Sequence, residues 1–528
     1  MSGIRVQDLV VADRAAPGRR ELVRVDELLV EPGECIAVVG ESGAGKSLLL
    51  RALLGLVPRP LRVTAARLEV DGADLSQASA RELRQVRGAR IALVGQDALV
   101  ALDPLRRVGD EVAEPLAIHT GLPRLARRQR AVELLADVAV DRPRLRVSQY
   151  PHELSGGMRQ RSLIASALAA DPPVLALDEP TTALDATVQR HVLELVRSVA
   201  DDGRAVILVS HDIAAVSAIA DRVVVMRDGR VTESGDTASV IAAPAHPYTR
   251  ELLASARRQV PVRRSIGGRE LLSARGLSRH YAHTTAVRDV SLSLHDGEVV
   301  GVVGESGSGK STLVRMLLGA EGPDEGRVML DGEPWAPLAE SSRRSRRRRI
   351  QLVAQNPRGA FLPTWTIGRT IGEALAAAGV PRVQHAARTA ELLARVELDP
   401  TFAGRRPRTL SGGQLQRAAI ARALAVAPDI LLLDEPLSAL DVSVASRILA
   451  LLRRLRDEGT AMILVSHDLA VVGELADRIL VMRSGSVVEE GAATEIFAAP
   501  AHPFTRELLS SRAVLPPLEG TGEGITGG

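Results

Sequence analysis

The hydrophobic positions of this chain form short, nearly continuous apolar runs that are separated by longer amphipathic stretches. Typical runs are IAVVG at 36–40, VLALDE at 174–179 and AVILVSHD at 205–212, and a typical amphipathic stretch is MRQRSLIASALAA at 158–170. Runs of this kind predict strands that are buried on both faces, whereas the longer stretches predict helices. Their alternation predicts an α/β fold with a mostly parallel sheet covered by helices.

The pattern occurs twice along the 528 residues. Identical residues recur at a spacing of 256, in the pairs Ser155 and Ser411, Asp178 and Asp434, His211 and His467, and His246 and His502. The glycine-rich stretches around Lys46 and Lys310 are 264 residues apart, so the second copy has shorter connections while its landmarks persist. A repeat of this length indicates two tandem copies of one fold.

The limits of the two copies follow from the segments that lack periodicity. We predict that residues 1–256 form the first domain and residues 271–515 the second. The segment 257–270 is basic and contains proline and glycine, which predicts a linker. The glycine-rich segment 516–528 predicts a disordered tail.

Composition narrows the class of protein. The chain has 67 Lys plus Arg against 64 Asp plus Glu, a balance that argues against a globally basic nucleic-acid binder. Aromatic residues make up only 2%, so the cores must be built from alanine, valine, leucine and isoleucine. A single cysteine, Cys35, excludes intramolecular disulfides and cysteine-rich metal clusters. No apolar run reaches the roughly 18 residues of a membrane-spanning helix, so a membrane role would require partner subunits.

Both copies contain the pattern GxxxxGKS directly after a predicted strand, and the only two lysines of the chain lie in it. Such glycine-rich turns bind phosphate oxygens through backbone N–H groups, and the lysine reaches the β and γ phosphates as a compact charge. The sequence therefore predicts two nucleotide sites. The predicted phosphate-binding residues are Gly40, Ser42, Gly43, Gly45, Lys46 and Ser47 in the first copy and Gly304, Ser306, Gly307, Gly309, Lys310, Ser311 and Thr312 in the second.

Each copy also places two acids at the end of an apolar run and a histidine after the next run. Acids at the carboxyl end of a buried parallel strand lie at the ligand crevice. We expect each aspartate to hold Mg²⁺ with the serine that follows the lysine, each glutamate to polarise the attacking water, and each histidine to contact the γ-phosphate. The predicted catalytic residues are Glu179, Glu435, His211 and His467, and the predicted magnesium ligands are Ser47, Asp178, Ser311 and Asp434.

Between these motifs lie LSGGMRQR at 154–161 and LSGGQLQR at 410–417. A serine and two glycines before a helix form an anion site from an N-cap hydroxyl and exposed backbone donors. Since one glycine-rich loop already binds the triphosphate, a second anion site in each copy suggests that each nucleotide is shared between the copies. The residues concerned are Ser155, Gly156, Gly157, Ser411, Gly412 and Gly413.

With these motifs in this order, the chain resembles two fused nucleotide-binding domains of ABC transporters. The resemblance implies tandem P-loop NTPase domains, each with a RecA-like core, an antiparallel β subdomain and a helical subdomain. It also implies two head-to-tail sites for ATP and Mg²⁺, and it adds Gln96 and Gln355 as magnesium ligands and the loops of Asp185 and Asp441. The first implied site contains Lys46, Ser47, Gln96, Asp178, Glu179 and His211 with Ser411 and Gly413. The second contains Lys310, Ser311, Gln355, Asp434, Glu435 and His467 with Ser155 and Gly157.

Four segments are similar to the ATP-binding subunits of the peptide/nickel importer family: GQDALVALDP at 95–104, YPHELSGGMRQR at 150–161, PAHPYTRELL at 244–253 and PAHPFTRELL at 500–509. This resemblance implies an ATPase at the cytoplasmic face of the membrane that drives import of di- or oligopeptides, a nickel chelate, glutathione or an opine. It implies two integral membrane permease subunits and an extracytoplasmic binding protein as partners, and no nucleic acid.

Some features differ between the copies or leave alternatives open. Tyr281 lies where the family often stacks an aromatic ring on adenine, and the equivalent stretch 10–20 has none, so we expect the Lys46 site to bind ATP more weakly. The run RRSRRRR at 343–349 is interpreted as a solvated helix face, with anionic lipid or nucleic acid as alternative contacts. A ribosome-associated ABC-F-type translation factor is the alternative function, although the connection between the copies is short for the helical arm of such proteins.

Overall fold

The computed structural model describes residues 3–13, 20–41, 43–95, 101–181, 184, 186–256, 267–281, 284–305, 307–437 and 442–510. The chain divides into two compact units, the first built mainly from residues up to 257 and the second from residues 258–511. Most of the predicted linker, 257–266, and the whole predicted tail, 516–528, lie outside the described residues.

The first unit contains a mixed sheet flanked by helices. Its strands are β1 (Ile4–Asp13), β2 (Arg20–Val30), β3 (Cys35–Val39), β4 (Leu61–Thr64), β5 (Arg67–Val70), β6 (Ala73–Asp74), β7 (Ile91–Val94), β8 (Val174–Asp178), β9 (Ala205–Ser210), β10 (Arg222–Arg227) and β11 (Arg230–Asp236). Its helices are α1 (Lys46–Leu53), α2 (Ala80–Val86), α3 (Val108–His119), α4 (Arg124–Asp137), α5 (Pro143–Arg146), α6 (Gly156–Leu168), α7 (Ala186–Asp201), α8 (Ile213–Ser217), α9 (Thr237–Ala242) and α10 (Pro247–Ala256), with a 3₁₀ turn at Pro151–Glu153.

The sheet of the first unit has a parallel part and an antiparallel part. Its strand order is β6-β5-β1-β2-β11-β10-β3-β9-β8-β7, with β4 also paired to β1. Strands β10, β3, β9, β8 and β7 run parallel, whereas β1 pairs antiparallel with β2, β4 and β5. A bridge between Arg230 and Arg24 joins the two parts. The parallel part is the predicted core, and the antiparallel part is the predicted β subdomain.

The second unit repeats this plan. Its strands are β12 (Glu270–Tyr281), β13 (Thr284–His295), β14 (Val299–Gly304), β15 (Glu325–Leu330), β16 (Glu333–Ala336), β17 (Ile350–Val353), β18 (Ile430–Asp434), β19 (Ala461–Val465), β20 (Arg478–Arg483) and β21 (Ser486–Ala492). Its helices are α11 (Lys310–Leu318), α12 (Glu340–Arg343), α13 (Ile367–Ala377), α14 (His385–Arg395), α15 (Gly412–Leu424), α16 (Val442–Asp457), α17 (Leu469–Leu475), α18 (Ala493–Ala498) and α19 (Pro503–Ser510), with 3₁₀ turns at Arg347–Arg349, Pro357–Ala360, Arg382–Gln384, Pro400–Gly404 and Pro407–Thr409.

In the second unit the two parts are separate sheets. The antiparallel sheet has the order β13-β12-β15-β16, and the core sheet has the order β17-β18-β19-β14-β20-β21. Strands β17, β18, β19, β14 and β20 are parallel, as the apolar runs predicted. The architecture confirms the predicted fold class of tandem α/β domains.

The parallel strands are buried on both faces, which explains their continuous apolar sequences. In β3, Ile36 and Val38 pack against α1 and the antiparallel strands. Cys35, Ala37 and Val39 face the opposite core, which includes residues of α3, α4 and α6. Two cores divided in the same way by the parallel sheet recur in the second unit.

Helices inserted between the sheet and the second anion motif form the predicted helical subdomain. In the first unit α3 contacts both α4 and α6, and in the second unit α13 contacts both α14 and α15. Among the described residues, none of the helices combines the length and the apolar character that crossing a bilayer requires.

Cys35 begins β3 and is fully buried. Burial raises the pKa of its thiol to about 12. The backbone N–H of Cys35 donates to Asp221 Oδ2 at 2.8 Å. The thiol therefore stays protonated at neutral pH and serves as a core residue.

Candidate functional site

In each unit three motifs meet at the carboxyl edge of the parallel sheet. Strand β9 lies between β3 and β8, so the segments that follow these three strands are neighbours. The register pairs Val39 with Ser210 and Asp178 with Val209, which places the glycine-rich loop, the acids and the histidine at one level. The second unit has the equivalent order β18-β19-β14. This edge is where open α/β sheets bind ligands.

The backbone of each glycine-rich loop requires glycine at its first position. Gly40 has φ +149° and Gly304 has φ +151°. A Cβ at Gly40 would lie 2.2 Å from the carbonyl oxygen of Met226, and a Cβ at Gly304 would lie 2.1 Å from that of Met482. The loop therefore passes against the neighbouring strand with no room for a side chain, and α1 and α11 begin at the lysines that follow.

The two lysines are buried at the amino ends of these helices. Lys46 Nζ donates to the carbonyls of Gly40 and Glu41 at 2.7 and 2.9 Å. Lys310 Nζ donates to the corresponding carbonyls of 304 and 305 at 2.8 and 2.7 Å. Lys310 Nζ also donates to Ser308 Oγ at 3.3 Å, so in each unit the loop fixes the ammonium group through several hydrogen bonds. Each lysine is thereby held within the loop that is predicted to bind phosphate.

A serine and an aspartate form the predicted metal pair in each unit. Ser47 Oγ donates to Asp178 Oδ1 at 2.8 Å, and Ser311 Oγ donates to Asp434 Oδ1 at 3.3 Å. Burial raises the pKa of both aspartates. A hydroxyl oxygen and a carboxylate oxygen are ligands that Mg²⁺ prefers, and the charge of the ion would offset the burial of the carboxylate.

These donors fit Mg²⁺ only together with a substrate. Within the described ranges, no group of three or more histidine, cysteine, aspartate or glutamate side chains could hold a metal ion. Magnesium in nucleotide sites is usually bound by one or two protein ligands, phosphate oxygens and water. The pair is therefore suited to an ion that arrives with a nucleotide rather than to a resident metal.

The predicted base and the predicted histidine of each unit contact each other. His211 Nδ1 lies 3.3 Å from Glu179 Oε2, and His467 Nδ1 lies 3.4 Å from Glu435 Oε1. The hydrogen bond with Glu179 raises the pKa of His211. Burial opposes protonation of His467, but the hydrogen bond with Glu435 outweighs it, so the pKa of His467 is also raised.

The backbone at the two glutamates is unusual. Glu179 has φ +50° and Glu435 has φ +48°, in the left-handed region that non-glycine residues rarely adopt. Their N–H groups donate to the carbonyls of Val209 and Val465 at 2.9 Å. Such a conformation costs about 1–3 kcal/mol and persists where the surrounding structure fixes it. Each carboxylate is therefore aimed at the edge of the sheet by the main chain itself.

The glutamine loop of the second unit reaches the same carboxylate. Gln355 Nε2 donates to Glu435 Oε2 at 2.6 Å. Burial opposes ionisation of Glu435, but the contacts with His467 and Gln355 outweigh it and lower the pKa of Glu435. The structure thus brings Gln355 to the predicted base. Gln96 of the first unit lies outside the described residues.

The second anion motif of each unit caps a helix. Ser155 Oγ accepts from the N–H of residue 158 at the start of α6, and Ser411 Oγ accepts from the N–H of residue 414 at the start of α15, both at 3.3 Å. Both serines and the glycines that follow them, Gly156 and Gly412, are exposed. The N-terminus of a helix favours an anion, so these caps are consistent with the second anion site, which stays a prediction.

The next glycine of this motif packs against the helix that follows the acids. A Cβ at Gly157 would lie 2.5 Å from Val188 Cγ1, and a Cβ at Gly413 would lie 2.1 Å from Val444 Cγ1. Close packing, rather than backbone strain, thus excludes a larger residue at these two positions.

The remaining predicted residues are distributed as follows. Gly43, Gly45, Gly307 and Gly309 have positive φ within the loops, and Thr312 lies on α11. Tyr281 ends β12, is 43% exposed and donates through its hydroxyl to Glu321 Oε1 at 2.6 Å. The predicted residues outside the described part of the chain are Ser42, Gln96, Asp185, Ser306 and Asp441.

Sequence reasoning missed the side chains that hold the end of α11. The indole Nε1 of Trp335 donates to the carbonyl of residue 317 at 3.0 Å. Arg347 Nη1 donates to that of 318 at 2.5 Å, and Arg343 Nη1 donates to that of 319 at 2.7 Å. Arg343 is buried, and its guanidinium lies 5.5 Å from the centre of the Trp335 ring. The interpretation of 343–349 as a solvated helix face is therefore wrong for these arginines, because free carbonyls at a helix end attract cationic donors. The sequence signal that could have indicated these contacts is Trp335, a large and usually buried residue shortly before the run.

The first unit uses a single arginine for the same purpose. Arg87 donates through Nε to the carbonyl of Leu54 at 2.8 Å and through Nη2 to that of Gly55 at 2.6 Å. In both units, arginines thus fix the carboxyl end of the helix whose amino end carries the buried lysine.

Comparison with solved structures supports the tandem fold. A structure of ribosome-bound archaeal Pelota and ABCE1 superposes with a TM-score of 0.64 and 22% identity, and it covers 92% of this chain and 79% of that chain. An RNase-L inhibitor gives a TM-score of 0.62 at 21% identity, covering 91% of this chain and 90% of the other. At such identities the similarity concerns the fold alone.

Sequence comparison is more specific. The ABC transporter family model matches residues 24–182 and 287–438, and the model of the oligopeptide/dipeptide transporter C-terminal region matches 232–276 and 488–527. The peptidoglycan transport ATP-binding protein YejF of Agrobacterium fabrum is 39% identical over 96% of both chains. The glutathione import ATP-binding protein GsiA of Escherichia coli is 37% identical over 97% of this chain and 90% of the relative. The chain therefore belongs to the ABC transporter family, as an ATP-binding protein of the peptide/nickel importer group with two ATPase domains in one polypeptide.

Proposed function

We propose that the chain is the ATPase subunit that drives import of a peptide or a related small solute through two membrane permease subunits. The single observation that carries the proposal is the gathering of the buried lysine, the serine–aspartate pair and the glutamate–histidine pair at one sheet edge, in both units. Both units retain every one of these groups, so both sites are proposed to hydrolyse ATP.

In the proposed reaction the phosphates bind to the glycine-rich loop and to the lysine within it. The serine and aspartate of each unit would hold Mg²⁺, which would supply positive charge to the phosphates. The glutamate accepts a proton from water as the water oxygen forms a bond to the γ-phosphorus and the bond to the bridging oxygen breaks. The histidine beside the glutamate contacts the γ-phosphate and keeps the carboxylate in place.

The proposal includes composite sites, in which the loop of one unit faces the capped helix of the other. The lysine loop and its helix already bind the triphosphate from one side. The exposed, serine-capped N-termini of α6 and α15 are then available to bind the other side of a γ-phosphate. Lys46 would share its ATP with Ser411, and Lys310 would share its ATP with Ser155.

Paired substitutions test this pairing in a Glu179→Gln, Glu435→Gln background that retains bound ATP. If Lys46 and Ser411 serve one site, Lys46→Ala with Ser411→Arg removes one retained ATP per chain. Lys46→Ala with Ser155→Arg then removes both, because it damages two sites. The opposite pattern would mean that each unit encloses ATP with its own capped helix.

The proposed docking surface for the permease subunits lies on the helical subdomains. In the first unit Leu105, Ile118 and Leu125 are 85, 68 and 82% exposed, and in the second unit Leu362 and Val383 are 54 and 88% exposed. Contiguous exposed apolar patches mark surfaces that bind other proteins, and we propose that these side chains belong to such patches. In the second unit, the segment that contains Gln355 connects β17 to the helical subdomain. We propose that the chain is held at the cytoplasmic face of the membrane through this surface.

The proposed cargo is a di- or oligopeptide or glutathione, with a nickel chelate or an opine as related choices. Its support is the oligopeptide/dipeptide C-terminal model and the names of the relatives, which are transporters of peptidoglycan and glutathione. The periplasmic or external binding protein of the system, rather than this chain, would select among them.

Affinity purification from membranes, followed by uptake assays, tests the function. We expect integral membrane proteins to co-purify with the chain, and labelled peptide or glutathione to enter vesicles only with ATP. The Lys46→Ala, Lys310→Ala double variant is the matched control and should still assemble but not transport. Co-purification of ribosomes in place of membrane proteins would overturn the proposal in favour of the translation factor.

A further inference from the structure

The PAHPYTRELL segment of the first unit forms a rigid turn that presents Tyr248. Glu233 of β11 accepts from the N–H groups of Ala245 and His246 at 2.7 and 3.0 Å. His246 Nδ1 in turn accepts from the N–H of Tyr248 at 3.1 Å. Burial opposes ionisation of Glu233, but Thr249 and the N–H groups of Ala245 and His246 outweigh it and lower the pKa of Glu233. The start of α10 is therefore fixed relative to the sheet.

The turn delivers the Tyr248 hydroxyl to the phosphate-binding loop. The ring is 2% exposed, and the guanidinium of Arg227 lies 4.8 Å from its centre. The hydroxyl accepts a hydrogen bond from the N–H of Glu41 at 2.9 Å. The carbonyl of Glu41 is one of the two that hold Lys46 Nζ. The Glu41 residue is thus bonded on one side to Tyr248 and on the other to Lys46.

The second unit has the same turn without the hydroxyl. Glu489 accepts from residues 501 and 502, and the N–H of Phe504 donates to His502 Nδ1 at 3.1 Å. The Phe504 ring is also buried, with Arg483 at 4.7 Å from its centre. Phenylalanine has no group that can accept from the loop.

The glycines of the two loops have similar backbone angles, although Ser308 of the second loop, where the first has Ala44, also accepts from Lys310 Nζ at 3.3 Å. Gly43 and Gly307 have φ +85° and +82°, and Gly45 and Gly309 have φ +94° and +101°. Because the loop of the second unit adopts the same backbone beside a phenylalanine, the hydroxyl is not required to form it. The Tyr248 hydroxyl adds one partly buried hydrogen bond to a loop whose backbone conformation does not depend on it.

We propose that Tyr248 is a positioning residue for the first nucleotide site, which fixes the Glu41 peptide and through it Lys46, so that the first site binds nucleotide phosphates more tightly than it would with phenylalanine. The inference rests on the proposed function of the loop. The presence of Tyr248 in one unit and Phe504 in the other would give the two sites different affinities for phosphate. This difference would not depend on any contact with the adenine base.

Binding of the fluorescent analogue MANT-ADP to full-length single-lysine variants tests the proposal. In Lys310→Ala protein, which reports the first site, Tyr248→Phe should weaken binding about fivefold, the effect of losing one hydrogen bond. In Lys46→Ala protein, which reports the second site, the same substitution should leave the affinity unchanged. Phe504→Tyr in Lys46→Ala protein should strengthen binding by a similar factor.

The thermal unfolding of the same proteins separates positioning from folding. We expect Tyr248→Phe to lower the melting temperature without nucleotide by only about 2–4 °C, the effect of one lost hydrogen bond, and to reduce in addition the increase that MANT-ADP produces. An unchanged affinity of the first site, or equal weakening of both sites, would overturn the role of Tyr248. Failure of both single-lysine variants to bind the probe would instead overturn the proposed function of the loops.

Discussion

Replacing the proposed bases by glutamine should stop ATP hydrolysis while leaving ATP binding intact. Glutamine has the length and shape of glutamate, and at residue 435 its amide oxygen can still accept from Gln355, which lies 2.6 Å from the native carboxylate. The loops, lysines and serine–aspartate pairs are untouched by the substitution. What is lost is the group that accepts the proton of the attacking water.

The size of the effect follows from that loss. General base catalysis contributes about 10²–10⁴ in rate, which corresponds to about 3–5 kcal/mol of activation free energy. The histidine at 3.3 Å in the first unit and 3.4 Å in the second then faces a neutral amide, and the adjacent carboxylates of Asp178 and Asp434 are bonded to their serines. We therefore expect the Glu179→Gln, Glu435→Gln variant to turn over at least about a hundredfold more slowly.

The assay measures phosphate release and ATP retention on the same purified complex. The double variant should retain two ATP per chain after gel filtration, whereas the unaltered protein should retain almost none. Glu194→Gln is a matched control, because Glu194 lies on α7 with its side chain 61% exposed and should not affect turnover. Phosphate release by the double variant at a rate similar to that of the control would refute the assignment of the bases.

Three further predictions concern other parts of the two units. In a Lys46→Ala background, Tyr281→Ala should weaken nucleotide binding at least about fivefold, since stacking on a base contributes about 1–3 kcal/mol; equal fluorescence titrations of both proteins would contradict the stacking role. The ion pair of His467 and Glu435 should stabilise the second unit at pH values above the ordinary glutamate pKa of 4.5 and below the raised pKa of the histidine. This stabilisation is lost as the pH rises through the raised histidine pKa, because the imidazole then loses its charge. The melting temperatures of Glu435→Gln and unaltered protein should therefore converge at high pH. Arg87→Ala should destabilise the first unit by about 2 kcal/mol, because two charged hydrogen bonds to the end of α1 are lost; calorimetry should show a lower melting temperature for this unit only, and an unchanged scan would show that water replaces the arginine.

The placement of the reactive groups could be predicted because each motif directly follows an apolar run. Once the runs form neighbouring parallel strands, Asp178 and His211 must lie at the same edge as the loop that ends with Ser47. Repetition reinforced each assignment, since Asp434 and His467 occur at the same spacing and adopt the same contacts. Local sequence and strand order together therefore determine this part of the site.

Contacts between distant segments could not be predicted in this way. Tyr248 and Glu41 are 207 positions apart, and nothing in the local pattern of the turn shows that its ring reaches the loop. The arginines at 343 and 347 were assigned to solvent because charge runs usually are. Arg343 is buried and Arg347 is partly buried because they donate to carbonyls at the end of a helix that lies 24 and 29 positions earlier in the chain.

The enclosed sulfhydryl at the start of β3 makes the chain convenient for site-directed labelling. Cys35 is the one cysteine of the sequence, and its high pKa and complete burial protect it from maleimide reagents. Cysteines introduced at Leu125 and Val383, which are 82 and 88% exposed, would then be the only positions that accept dyes. Energy transfer between the two dyes could follow the separation of the helical subdomains during turnover without the removal of any native residue.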